Sequence, residues 1–326
     1  MDTEPVGQDE LDWFADRFEA VSSNIELVIQ GKRQVVDLVV LSLLSEGHVL
    51  IEDVPGVGKT LLAKSLARSI HCSFQRIQFT PDLLPSDVTG VSVWDREQGT
   101  FVFRSGPVFS NIVLGDEINR ASPKTQAALL EAMEERQVTV DGTTRRLPPP
   151  FMVMATQNPI EHEGTYPLPE AQLDRFMMRL VIGYPSRAKE METLETHGHV
   201  SSYVDLDAVV SAEDVVRMVD IARRIYVSDP IKEYLVDTVE ATRADPDLML
   251  GASPRATLFL QRAARTRAAI DGRHYVTPDD VKALLQPVLA HRMILRPEAQ
   301  MRGADLNEII DGIAEGVSVP GSGARA

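Results

Sequence analysis

The sequence holds a single cysteine, Cys72, among 326 residues. An intramolecular disulfide is therefore excluded, as expected in a reducing compartment, and the thiol reads as a small residue at the edge of a core. No apolar run is long enough to span a bilayer; the longest, Val35 to Leu44, is interrupted by Asp37. The first residues carry Asp2, Glu4, Asp9 and Glu10 with no early Lys or Arg, which does not read as a secretory signal. Basic charge is in short supply: 33 Lys plus Arg against 48 Asp plus Glu give a formal net charge of -15. That balance disfavours nonspecific adhesion to nucleic acid, although an assembly could still carry a basic pore. No internal repeat and no recognisable DNA-binding domain is evident. These absences point to a soluble, cytoplasmic protein with no membrane insertion, long enough for two or three domains.

What is present begins with Val54-Pro55-Gly56-Val57-Gly58-Lys59-Thr60, between the apolar run Val49-Leu50-Ile51 and the helix-like segment from Leu61 to Arg68. A strand, a Gly-rich turn ending in Lys-Thr and a helix make a phosphate cradle, here Pro55 to Leu61. Gly56 and Gly58 let the backbone take positive φ, so that successive N–H groups and the helix N-terminus point at negative charge. Lys59 would reach the β and γ phosphates of a nucleotide, and the Thr60 hydroxyl would ligate Mg²⁺. Asp53 stands where the general motif has Gly, a position that shapes the loop more than it touches phosphate.

A second buried-strand pattern, Asn111-Ile112-Val113-Leu114-Gly115, ends in Asp116-Glu117. Two carboxylates at a strand tip downstream of a phosphate cradle suit Mg²⁺ retention by Asp116 and orientation or deprotonation of water by Glu117. The plainer alternative is a pair of acids before the helix signalled by Ser122-Pro123. A third run, Phe151 to Ala155, leads to Asn158, whose amide could hold a water against a γ-phosphate or simply form an Asn-Pro turn. Arg175 and Arg255 each fall beside a predicted helix terminus. Phosphoryl transfer uses such cations, whereas a lone Arg is more often a surface ion pair.

In this order the motifs resemble those of an AAA+ ATPase, and the wording is closest to the MoxR family. Glu52-Asp53-Val54-Pro55-Gly56-Val57-Gly58-Lys59-Thr60, Leu130 to Glu135, Ala155-Thr156-Gln157-Asn158-Pro159 and Leu168 to Phe176 carry the likeness, and in that company Asp53 is no departure. The resemblance covers roughly residues 29 to 278. It implies an α/β fold: an AAA+ P-loop core with a parallel sheet and β-hairpin insertions, plus an all-helical C-terminal lid. It further implies that Asn158 serves as sensor 1, Arg255 as sensor 2, and Arg175 as the finger entering a neighbouring subunit's site. A homo-hexamer acting on Mg-ATP, with a von Willebrand factor A domain protein or another client as partner, follows from the same likeness.

The expected organisation is an acidic segment over 1–28, the ATPase core over 29–186, a helical lid over 187–316 and a disordered tail over 317–326. The first few residues also look disordered. A helix is expected from about Lys32 to Ser45, closed by Gly47, and βα alternation continues to Leu180-Val181-Ile182 before helices alone follow a boundary near Ser186. Ser211 with Asp214, and Thr277-Pro278-Asp279-Asp280, read as helix starts. Val91 to Trp94 with Thr100 to Phe103, and Val138 to Val140 with Asp141-Gly142, predict two hairpins. In the likeness these match the helix-2 and pre-sensor-1 insertions.

Trp94, Phe101 and Phe103 are either a substrate grip or hairpin packing. Arg145 and Arg146 are either pore charges or a solvated hairpin leg. The helix with Glu131, Glu134 and Glu135 reads most simply as an exposed acidic face. His197-Gly198-His199 beside Glu195 lacks further Cys or His and reads as a solvated loop rather than a zinc site. No aromatic-hydrophobic-Gly loop follows the strand near Phe74 to Phe79, which argues against processive threading. The leading functional expectation is a chaperone-like ATPase that remodels or matures client proteins. A nucleic-acid motor and a slow nucleotide-gated binding module stand as alternatives; the acidic balance opposes the first, and Glu117 would be superfluous in the second.

Overall fold

The computed structural model describes residues 5–158, 165–184, 187, 191 and 205–320. The strands, in chain order, are β1 (Val49–Glu52), β2 (Phe74–Gln78), β3 (Gly90–Asp95), β4 (Thr100–Ser105), β5 (Ile112–Asp116), β6 (Gln137–Val140), β7 (Thr143–Arg146), β8 (Met152–Gln157), β9 (Met178–Leu180), β10 (Leu248–Leu250) and β11 (Ile294–Leu295). Five of them form a parallel sheet in the order β2-β5-β8-β1-β9. All five C-terminal ends therefore share one edge, which gathers residues far apart in sequence: the loop after Glu52, the acids after Gly115, and Asn158.

Strand alternation divides the core between the two faces of this sheet. Val49, Ile51, Ile112 and Leu114 pack with α1 (Gln8–Glu26), α2 (Arg33–Leu44), α3 (Lys59–Ser69) and the lid. Leu50, Val113, Val153 and Ala155 pack on the opposite face, with α4 (Pro85–Thr89) and α5 (Pro123–Glu135). The acidic N-terminal segment is largely α1, whose Leu11, Phe14, Phe18, Val21 and Ile25 recur at helical spacing and are buried against core and lid alike.

The helix expected from Lys32 to Ser45 is α2, and its end departs from the usual rule. Glu46, at φ 56°, takes the left-handed position where Gly is common, while the next two turns close as Glu46 N–H to Leu43 carbonyl, 3.0 Å, and Gly47 N–H to Ser42 carbonyl, 2.7 Å. Gly47 is needed for space, since a Cβ there would lie 2.5 Å from the Met177 sulfur.

Both hairpins form, β3 with β4 and β6 with β7, the latter turning through Asp141 (φ 50°) and Gly142 (φ 72°). The aromatic group of the first hairpin is divided. Trp94 and Phe101 pack edge to face and stay half exposed or more, whereas Phe103 packs on Phe109 with the Arg145 guanidinium 3.9 Å from its ring centre.

The lid is built from the helices Ala212–Arg224, Asp229–Ala244, Pro254–Ile270 and Leu306–Gly316 with shorter pieces between. Reciprocal capping by Ser211 and Asp214, and by Thr277 and Asp280, starts two of its helices as expected. The lid is not purely helical: β10, just before the helix Pro254–Ile270, pairs antiparallel with β11, well after it. Val317 and Val319, assigned to a disordered tail, pack against the main core. Cys72 sits at the core edge, where burial pushes its thiol up to about 12. The boundary near Ser186, the first four residues, the last six and His197-Gly198-His199 lie outside the described residues.

Candidate active site

The cradle grows out of β1. Gly56 (φ 87°) and Gly58 (φ 95°) both take the left-handed conformation, and α3 begins at Lys59 directly after the second. Asp53, read from sequence as a loop-shaping position, anchors this loop. Its buried carboxylate accepts from Val54 N–H at 2.8 Å and, across the sheet edge, from Ile182 N–H at 2.8 Å and Gly183 N–H at 2.6 Å. The Lys59 ammonium donates to the Asp53 carbonyl at 2.5 Å. Burial pulls its pKa down, while Asp53, Asp116 and Glu117 oppose that pull and favour its charge.

Asp116 and Glu117 are joined by a residue that sequence reasoning missed. The Thr156 hydroxyl on β8 donates to Asp116 Oδ1 at 2.6 Å and accepts the Glu117 N–H at 2.9 Å. That second bond helps hold Glu117 at φ 57°, ψ 50°, a left-handed conformation costing about 1–2 kcal/mol for a residue with a Cβ. On the other side stands β2, paired so that Gln78 lies opposite Asp116. Arg76 donates to Asp116 Oδ2 at 3.0 and 2.5 Å, and Gln78 donates to Glu117 Oε2 at 2.9 Å. Arg120 adds an ion pair to Glu117 at 3.3 Å. The available signal was two polar side chains at i and i+2 on a strand, facing one side; which strand they would face was not in the sequence.

One cleft of about 400 Å³ is lined by Pro55, Gly56, Gly58, Lys59, Thr60, Leu61, Arg76, Asp116, Glu117 and Asn158. Val57 is not among its walls and packs against the core. Arg175 and Arg255 are not there either. Arg175 immediately precedes the Phe176 and Met177 that lead into β9, and the Met177 N–H bonds the His48 carbonyl at the start of β1, so Arg175 lies at the N-terminal ends of the strands, opposite the cradle. Both arginines converge on Glu134 of α5, Arg175 at 3.2 Å, with Arg255 also 3.7 Å from Asp174. The acidic stretch of α5 is thus more than a solvated face. Arg292, almost wholly buried in the lid, donates to Asp174 Oδ1 at 2.9 Å and to the carbonyls of Asp174 and Phe176, tying lid to core beside Arg175.

Residues 48–178 match the family model described as ATPase family associated with various cellular activities (AAA), and residues 240–313 match the AAA lid domain. The chain is 41% identical to Chaperone MoxR1 of Mycobacterium tuberculosis, over 97% of its own length and 86% of that protein's. It is 32% identical to Protein MoxR of Methylorubrum extorquens, over 95% and 96% of the two chains. The chain belongs to the MoxR family of AAA+ ATPases. A crystal structure from Cytophaga hutchinsonii, provisionally described as an ATPase, superposes with a TM-score of 0.88 at 38% identity, covering 95% of this chain and 97% of that one. The MoxR assignment agrees with the parallel sheet, the hairpins and the lid.

The cleft suits the nucleotide and cation that a MoxR ATPase implies. Its volume falls within the usual range for small-ligand sites. Left-handed glycines at a helix start present N–H groups to phosphate, and a Thr hydroxyl with an Asp carboxylate is a hard oxygen set of the kind Mg²⁺ takes.

Proposed function

We propose that this MoxR-family protein hydrolyses Mg-ATP at sites completed between subunits of a ring and uses the cycle to remodel or mature client proteins. The observation that carries this reading is the separation of two half-sites on one chain. The cradle, Asp116 and Glu117 occupy one end of the sheet, and the paired arginines Arg175 and Arg255 occupy the other. A guanidinium unable to reach its own cradle is useful to a neighbour's, and such a cation accelerates phosphoryl transfer about 10³ to 10⁵-fold.

In this mechanism the cradle N–H groups and Lys59 hold the phosphates, and Thr60 and Asp116 would hold Mg²⁺, which neutralises charge developing on the phosphate oxygens. Glu117 takes the proton of the attacking water, with Asn158 orienting that water. Gln78 and Arg120 hold the Glu117 carboxylate in the conformation described here, so turnover requires that grip to loosen. Thr156 keeps Asp116 and the Glu117 backbone in register throughout. A homo-hexamer is the assembly we infer from the family, with a von Willebrand factor A domain protein as the partner class and the cytoplasm as the location. The name Chaperone MoxR1 borne by one relative supports the client-directed role.

The test is Mg-ATPase activity per subunit against protein concentration. A steep rise to a plateau is expected. A flat, low profile would mean that each site is self-contained or idle.

A further inference from the structure

Beneath the sheet, between core and lid, two adjoining clefts of about 190 and 130 Å³ share Glu46 and Arg262 as walls. Six arginines line them, Arg136, Arg175, Arg223, Arg255, Arg262 and Arg265, against two carboxylates, Glu46 and Glu134. In a chain of net charge -15 this is a local reversal of sign. Each carboxylate already serves two guanidinium groups. Glu134 pairs with Arg175 and Arg255, and Glu46 with Arg136 at 3.0 Å and Arg223 at 2.5 Å.

Arg262 and Arg265 have no carboxylate partner among the described residues, and the Arg265 Nε is buried without a hydrogen bond. Burial and then the nearby Arg262 pull Arg265 below its ordinary value; Arg136 is pulled the same way by burial and by Arg262 and Arg223, against Glu46. Arg262 is exposed at the lip common to both clefts. It follows Arg255 by seven residues on one helix, two turns on the same face and about 10 Å along the axis. Guanidinium groups packed this closely are stabilised by a multivalent oxyanion, and phosphate fits their forked donors.

We propose that this groove is a seat for a phosphate chain, in which Arg262 is a third gripping arginine beside Arg175 and Arg255. The proposal rests on the trans reading above for one possible source of the phosphate, the nucleotide of a neighbouring copy; the other source is a free polyphosphate compound. Either replaces Glu134 and Glu46 as the principal counter-charge, and Arg262 bonds the phosphate oxygens that the two paired arginines do not cover.

The test uses the full chain carrying Lys59→Ala, which disables the cradle, titrated with inorganic tripolyphosphate. Binding is expected to persist and to weaken about tenfold when Arg262→Gln is added, with Arg262→Lys restoring part of it. In parallel, Arg262→Gln alone is assayed for Mg-ATPase, then mixed with Glu117→Gln chains, which have an intact Arg262 but no base. Recovery of activity on mixing supports the neighbour's nucleotide as the occupant. Weakened tripolyphosphate binding with unchanged ATPase supports a free polyphosphate. Unchanged binding together with unchanged ATPase overturns the proposal. Arg175→Ala in the same mixing assay separates the two claims: its failure to be rescued sinks the trans reading, and leaves the anion seat to be judged by the titration.

Discussion

Thr156 shows how much of the site depends on a single hydroxyl. It fixes Asp116 through one bond and the backbone of Glu117 through another, so Thr156→Val, which keeps the shape, removes one anchor from each acid and leaves Arg76, Gln78 and Arg120 to hold them. We expect kcat to fall about 10- to 100-fold, a loss of roughly 1.4 to 2.7 kcal/mol, with nucleotide affinity changed little. Steady-state kinetics beside equilibrium nucleotide binding would check this, and an unchanged kcat would mean that Thr156 only packs. Lys59→Ala should abolish nucleotide binding, whereas Glu117→Gln should bind ATP without turning it over. Normal turnover by the latter would remove Glu117 as the base. Asp53→Ala leaves three N–H donors around a buried position without their acceptor. A stability loss of at least about 2 kcal/mol is expected in chemical denaturation.

At the scale of elements, two buried histidines make the joints between strands, α5 and the lid sensitive to pH. His48, just before β1, accepts the Val153 N–H of β8 at 2.9 Å and bonds the Met133 carbonyl of α5 at 3.1 Å. Burial, assisted by Arg136, pushes its pKa down to about 3. His291 of the lid bonds the Phe176 carbonyl at 3.1 Å and is held well below 6.5 by burial and Arg292. Both stay neutral in the folded chain at pH values where an unfolded histidine, titrating near 6.5, takes a proton. Between pH 6.5 and about 3 the unfolded state therefore binds more protons, and stability falls as pH falls. Each histidine should remove about 1.4 kcal/mol per pH unit below 6.5. Urea midpoints at pH 5.5 and 7.5 should differ accordingly, the acid one being lower; equal midpoints would contradict the buried neutral assignment. Asp280 adds a separate loss in stronger acid. Burial alone would raise its pKa, but Arg273 and the Thr277 cap hold it below the usual carboxylate value, so its contribution is present above about pH 4 and is lost below it.

For the whole molecule, the decisive feature is that the nucleotide cradle and the paired arginines lie at opposite ends of one parallel sheet. Arg175→Ala should leave nucleotide binding nearly intact and suppress hydrolysis by at least about 10³-fold. Mixed with Glu117→Gln chains it should recover activity, because each variant supplies what the other lacks. Persistent inactivity in the mixture would place the Arg175 effect within its own subunit. The buried Arg292, bonded to Asp174 and Phe176 on either side of Arg175, ties the lid to the arginine face. In a ring, displacement of a lid would then be felt at the neighbour's nucleotide.

The sequence by itself determined the features that depend on residues close along the chain. The left-handed glycines before Lys59, the reciprocal caps at Ser211 and Thr277 and the Asp141-Gly142 turn each need only a few adjacent residues, whose local sterics and hydrogen bonds suffice. The strand tips bearing Asp116 and Asn158 were legible for the same reason. Tertiary structure alone decided which strands are neighbours, and with it the contacts made across about 40 residues of chain, Arg76 with Asp116, Gln78 with Glu117 and Thr156 with both acids. It also placed α1 in the core, paired β10 with β11, and carried Arg175 and Arg255 to the far end of the sheet. The physical reason is that hydrophobic burial constrains which face of an element turns inward, while the choice among possible neighbours rests on packing that many distant side chains satisfy together.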